Sequence, residues 1–169
     1  MGRDRLARPP PNHPYGDPNA ILNFDGFFPL DTIDDFTRPP DTGYDTGIQL
    51  IKFSNIGGYS LGAVPFAWFM TLEGDIVSDT NGGTSTISLP LNVRNGEHRV
   101  QVNGSDTIVL SGSANLIGNG IIDKEGPGTL VMSGDHLSFQ PAAFFVDAGT
   151  LRVGSDNGLA IGALIRLPS

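Results

Sequence analysis

The 169-residue chain contains no cysteine, which excludes disulfides, thiolate metal sites and a cysteine nucleophile. Charge is scarce: 17% of residues are charged and only three are glutamate. A soluble helical bundle carries about 25% charged residues, much of it Glu and Lys. The acidic residues here are mostly Asp, which favours turns over helix interiors, so an all-α fold is excluded. Lys and Arg number 10 against 18 Asp and Glu, for a net charge of −8. A nucleic-acid surface needs clustered Lys and Arg, and so does an anionic membrane surface; the charge balance argues against both as partners. There is no apolar run of roughly 18 residues, so no transmembrane helix is expected. The opening MGRDRLARPPPNHPYGDP has basic residues with no apolar stretch behind them and is not a secretory signal as written. The expectation is a chain not secreted by that route, or a piece of a longer reading frame.

Glycine and proline are abundant, at 23 and 13 residues, and unevenly spread. Five prolines fall in the first 18 residues, which read as an extended leader with little to bury. Residues 19–46 read as an irregular first coil or acidic loop, and residues 47–169 as the repeating body. In that body short runs rich in β-branched and aliphatic residues alternate with Gly, Asn, Asp and Ser clusters, the pattern of strands between turns.

The strands repeat. Thr86–Leu89, Thr107–Leu110, Thr129–Met132 and Thr150–Val153 each begin with Thr, at offsets of 21, 22 and 21 residues. Side chains alternate faces along a strand. One face therefore collects Ile87, Ile108, Leu130 and Leu151 in one row, and Leu89, Leu110, Met132 and Val153 in a second. The opposite face collects Ser88, Val109, Val131 and Arg152, a mixed set expected to lie outside. A second strand sits inside each period at 100–102, 121–123 and 144–146, and a weaker third at 116–117 and 137–139. Matching strands a whole period apart predict a right-handed parallel β-helix, a β-solenoid with about 21–22 residues per coil.

The segments KEGPGTLVMSG at 124–134 and DAGTLRVGS at 147–155 resemble the autotransporter-associated β-strand repeat, also called the passenger-associated transport repeat. Upstream, AILNFDG, IKFSNIGGYSLG and ISLPLNV are similar to what often precedes that motif. The chain departs from the family in the linking turn, where HLSFQPAAF at 136–144 replaces the usual T-G-G-T-type turn. The resemblance implies an exported, surface-displayed parallel β-helix of Gram-negative-type bacteria, located at the cell surface or outside it. It implies no catalytic residue and no cofactor. The C-terminal membrane barrel of a complete autotransporter is not expected within these 169 residues.

Three groups of residues compete with a purely structural reading. Asp123 and Asp147 each follow a second-strand segment and could share one outer face as an acid and base pair, as in β-helix enzymes that cleave polysaccharides; as strand-end residues they read as turn or surface groups. Tyr59 and Trp68 lie in an aromatic cluster with Phe66 and Phe69 that could stack on a sugar ring or cap the first coils. Asp31, Asp34, Asp35, Asp41 and Asp45 form an acidic stretch without the spacing of a calcium loop. His13, His98 and His136 are too dispersed for a zinc motif. The expectation is a non-enzymatic structural or interaction module. An apolar C-terminal segment, Ile161, Leu164, Ile165 and Leu167, should be covered by further repeats or by a protein partner. A polysaccharide lyase or hydrolase and a carbohydrate-binding module are the alternatives.

Overall fold

A computed structural model describes residues 20–26, 31–34, 47–55, 58–63, 70–89, 91–93, 96–112, 116–117, 120–134, 143–156, 158–159 and 164–167. Every regular element among them is a β-strand, and every strand pairing is parallel. One sheet of nine strands contains β1 (Ala20–Phe24), β3 (Gly47–Ser54), β5 (Met70–Asp79), β7 (Leu91–Val93), β8 (Glu97–Val102), β10 (Leu116–Ile117), β11 (Ile121–Glu125), β13 (Ala143–Val146) and β15 (Leu164–Arg166). A second sheet of six contains β2 (Asp31–Asp34), β4 (Ser60–Ala63), β6 (Thr84–Ile87), β9 (Thr107–Leu110), β12 (Thr129–Met132) and β14 (Thr150–Val153). The chain alternates between the two sheets, and each strand pairs with its counterpart one coil earlier and one coil later. This is the expected β-solenoid. The expected third strand at 116–117 is β10, paired with β7; its counterpart at 137–139 lies outside the described residues.

The repeat begins earlier than residue 47. β1 pairs with β3 and β2 with β4, so residues 20–34 already supply one strand to each sheet. DTID and SLGA carry too few apolar residues to signal strands by pattern, but they join their coils by backbone pairing with each other.

The Thr ladder is present with a change of register at its first rung. Thr107, Thr129 and Thr150 are opposite one another as expected. The residue opposite Thr107 is Thr84, not Thr86, so the successive offsets are 23, 22 and 21 residues. A shift of two residues leaves each side chain on its face. Ile87 therefore aligns with Leu110, Met132 and Val153, and Ser85 with Ile108, Leu130 and Leu151. Leu89 falls beyond the strand, in the bend after β6, but is still buried. The first sheet also shows a wider spacing, with Ser78 opposite Val102, and the corner before β6 contains Asn81 and Gly82, both at positive φ.

The core is the set of inward columns. Ile48, Ile51, Phe53, Leu72, Ile76, Val100, Val102, Ile122 and Phe144 from the first sheet meet Leu61, Ile87, Ile108, Leu110, Leu130 and Met132 from the second. The ladder is buried through Met132 but not in the last coil, where Leu151 is half-buried and Val153 is 47% exposed. The outer face also differs from expectation. Val131 is buried, with Gly154 of the next coil packed close to its side chain, whereas Arg152 in the same outer column is exposed.

Leu130→Asp should cost several kcal/mol, because it places an unpaired carboxylate between aliphatic rungs. Thr150→Asp, at an exposed position of the same ladder, should stay within about 0.5 kcal/mol of wild type. Thermal melting of the two variants checks the face assignment, and equal shifts would reverse it.

Candidate functional site

Two clusters carry chemistry: the corner that joins β5, β8, β11 and β13 to the second sheet, and the outer face of the first sheet around Asp123.

At the corner, each coil must turn without leaving backbone groups unpaired inside the stack. Asp106 does this for one pair of coils. It precedes β9, is buried, and accepts hydrogen bonds from the Thr80 N–H (2.6 Å), the Gly82 N–H (2.5 Å) and the Ser78 hydroxyl (2.9 Å). Burial alone would raise its pKa, but these donors hold the carboxyl below its ordinary value. One carboxylate thus ties its own coil to the preceding one and fixes the corner before β6.

Lys124 does the converse for the next pair. It occupies an inward column between Val100 and Val146 and is only 1% exposed. Its ammonium donates to the carbonyls of Glu125 (2.8 Å), Gly126 (2.7 Å) and, one coil further on, Ala148 (3.0 Å). Those three acceptors match the three donors of the group. Desolvation by burial brings the Lys124 pKa down to about 8. The adjacent glycines are required: Gly126 and Gly149 have φ of 77° and 74°. A Cβ on Gly149 would lie 2.4 Å from the carbonyl oxygens of Gly126 and Gly128. The K-x-G-x-G-T segment at 124–129 is therefore a corner clasp, with the cation capping carbonyls and the glycines letting consecutive corners touch.

The outer face of the first sheet gathers ionisable groups from several coils. Asp123 lies between Arg99 and Phe145 in the ladder, and Arg166 follows Phe145. Asp123 is mid-strand and only 6% exposed, not the turn or surface residue expected. Burial raises its pKa, and the neighbouring Asp147, Glu125 and Glu97 add to the rise. Its Oδ1 has no hydrogen-bond partner. Asp147 is exposed and pairs with Arg166 (3.9 Å), whose guanidinium lies 3.9 Å from the centre of the Phe145 ring. Arg99 spans Asp75 (4.0 Å) and Glu125 (3.5 Å). The sequence pairing of Asp123 with Asp147 is thus realised as an electrostatic neighbourhood, in which the Asp123 pKa is raised. Among the described residues no group of three or more His, Cys, Asp or Glu is arranged to hold a metal ion.

The other sequence candidates are placed differently. Tyr59 is buried, with its ring 5.8 Å from those of Phe53 and Phe24 and its hydroxyl donating to the carbonyls of Gly26 (2.7 Å) and Ser54 (3.0 Å). It has no free face for a sugar and is a core residue, as the capping alternative requires. Trp68, Phe66 and Phe69 lie outside the described residues. His98 is buried in β8 with Nδ1 3.0 Å from the Gly74 carbonyl; His13 and His136 lie outside the described residues. Asp31 and Asp34 belong to β2, while Asp35, Asp41 and Asp45 are not described. Sequence reasoning missed Asp106 and the role of Lys124. The available signal was a lysine in a column otherwise filled by Val100 and Val146.

No family model matches the sequence, and no curated protein or solved structure is similar enough to count as a match. Among the described residues no helix is long and apolar enough to cross a membrane.

The clasps make pH predictions of the same sign in different windows, stability rising with pH through each. The unfolded chain keeps the Lys124 proton up to about its ordinary 10.5, and the folded chain releases it near 8. Raising the pH between those values therefore stabilises the fold, on the order of 3 kcal/mol in full, and below that window the effect of this group is constant. Lys124→Met should lack this alkaline gain; melting temperatures of both proteins from pH 7 to 10 measure it. Asp106 stabilises at pH values above the ordinary carboxyl range, and its contribution is lost as pH falls through its lowered folded value. Asp106→Asn should cost about 1–3 kcal/mol at neutral pH, and its deficit relative to wild type should shrink in strong acid.

Proposed function

We propose that this protein is a non-catalytic structural and interaction module, part of an exported, surface-associated bacterial β-solenoid of the autotransporter-associated repeat type. The observation that carries this reading is the corner clasp: the residues of the resemblance, Lys124, Gly126, Gly128 and Thr129, all serve coil-to-coil stacking. Lys124 bonds forward to Ala148, a Cβ on Gly126 or Gly128 would strike the Val102 carbonyl one coil back, and Thr129 stands in the Thr ladder. A motif whose members are consumed in stacking has none left to bind a substrate. Export and surface display follow from the resemblance. Folding that propagates coil by coil is the mechanical use such a module offers, and its open C-terminal end is where further repeats or a protein partner would continue it.

A second reading, a polysaccharide hydrolase or lyase, is favoured by one observation: a buried carboxyl with a raised pKa, Asp123, beside the exposed carboxylate Asp147. Such a pair can divide acid and base roles. Incubating the protein with pectin, alginate and related polymers separates the readings. No reducing-end or unsaturated product is expected from wild type. Reproducible cleavage, abolished in the Asp123→Asn, Asp147→Asn double variant, would replace the structural reading with the enzymatic one.

A further inference from the structure

We infer that Asn103 is a site of spontaneous covalent modification, its side-chain amide lost to attack by the Gly104 backbone nitrogen, and that Asp106 guards the equivalent Asn81 by holding the Gly82 N–H.

Asn-Gly occurs five times in the sequence. Asparagine is chemically labile, because its side-chain carbonyl carbon lies within reach of the next backbone nitrogen. Glycine has no Cβ to hinder that approach. Two of the five pairs are described at both residues, Asn81-Gly82 and Asn103-Gly104. They sit in successive corners, the first between β5 and β6 and the second between β8 and β9. Exposure alone would make Asn81 the labile one, since it is exposed and Asn103 is half-buried. Hydrogen bonding reverses the order. The Gly82 N–H donates to Asp106 Oδ1 (2.5 Å), and the other oxygen of that carboxylate is fixed by the Thr80 N–H and the Ser78 hydroxyl. To attack, the nitrogen must swing its open face toward the Asn81 side chain and give up its proton. The bond resists the first, and the adjacent negative charge resists the second. Asp106 does not assist as a base, because a carboxyl held below its ordinary range accepts protons poorly.

The next corner lacks this restraint. Among the described residues the Gly104 N–H has no hydrogen-bond partner. Gly104 is exposed, with φ of 53°, and a Cβ built there would meet nothing within 4 Å. The backbone around it is anchored: the Asn103 N–H donates to the Ser78 carbonyl (3.0 Å), and the Asn103 carbonyl accepts from the Asp106 N–H (3.0 Å). Gln101 Nε2 donates to Asn103 Oδ1 (3.1 Å), which draws electron density from the carbon to be attacked. In the reaction the Gly104 nitrogen loses its proton and bonds to Asn103 Cγ, the Cγ–Nδ2 bond breaks, and ammonia leaves carrying that proton. The cyclic imide takes up water and opens on either side of its nitrogen, to aspartate or to isoaspartate. Nothing is oxidised or reduced. Isoaspartate routes the chain through Cγ, which adds a backbone carbon and a carboxylate to a corner whose partners stand at fixed places.

Peptide mapping by mass spectrometry, after incubation of the folded wild-type protein at mildly alkaline pH, should show Asn103 converting to aspartate and isoaspartate about tenfold faster than Asn81. That ratio is expected when one site must first release a hydrogen bond to a charged group. Asn103→Gln should abolish the product at that corner, since the longer side chain closes its ring slowly. Asp106→Ala frees the Gly82 N–H and should speed conversion of Asn81 about tenfold. Ser78→Ala removes a different Asp106 bond and leaves Gly82 held, so Asn81 should stay slow in it. The two variants together separate guarding from a general loosening of the fold. Circular dichroism confirms that each variant is folded, and the wild-type ratio decides alone if Asp106→Ala is not. Asn81 converting as fast as Asn103 in the folded wild type overturns the inference, and so does an Asn103 that converts only in urea. Conversion of Asn81 no faster in Asp106→Ala than in Ser78→Ala overturns the guarding role of Asp106.

Discussion

The constraint on which this architecture depends is the closure of its corners. Aliphatic columns favour stacking but are indifferent to small slips, because burial is proportional to area and has no direction. A corner is different: its N–H and C=O groups point into the stack and must be met by partners at fixed places. Asp106 meets N–H groups of the preceding coil and Lys124 meets carbonyls of its own and the following coil. Asp106 pins the coil of β8 to that of β5, and Lys124 pins the coil of β11 to that of β13.

Neither buried charge is paired with the other or with an opposite side chain. Each is met by backbone dipoles. A buried ion pair often fails to repay the desolvation of two charges; a single charge surrounded by three oriented dipoles satisfies donors or acceptors that would otherwise be orphaned in the same place. The two solutions leave opposite signatures. The donors around Asp106 outweigh its desolvation, so the ionised form is favoured. The carbonyls around Lys124 do not, so its charged form is disfavoured by desolvation and its pKa falls.

Most of the fold was legible because it is carried by strand period. Three of the four Thr rungs and the inward rows of β9 and β12 follow from alternation alone. What was not legible lies in the corners. Thr86-Ile87-Ser88-Leu89 imitates the repeat more closely than Thr84-Ser85-Thr86-Ile87 does, yet it is the earlier segment that pairs with β9, and the corner just before it is held by Asp106. Lys124 could be recognised as a motif letter but not as an interior residue, since lysine is almost never buried. Asp123 follows two isoleucines and reads as the end of a strand; the strand continues through Glu125, which places it mid-sheet among other carboxylates. The tyrosine at 59 could be read as a sugar platform or as a cap, because its hydroxyl partners, Gly26 and Ser54, are contributed by backbone that no side-chain pattern reveals.

The two ends of the stack differ in kind. At the β1 end, the rings of Phe24, Phe53 and Tyr59 lie 5.1 to 5.8 Å apart, and the Tyr59 hydroxyl bonds to Gly26 after β1 and Ser54 at the end of β3. Those contacts hold the first two coils together without help from beyond. At the β14 end, Leu151 is only half-buried, Val153 is exposed, and the side chain of Ser155 bonds backward to Gly134 with nothing described ahead of it. An interior coil buries its inward side chains against two neighbours and the last coil against one, so the last coil contributes least to stability per residue it orders.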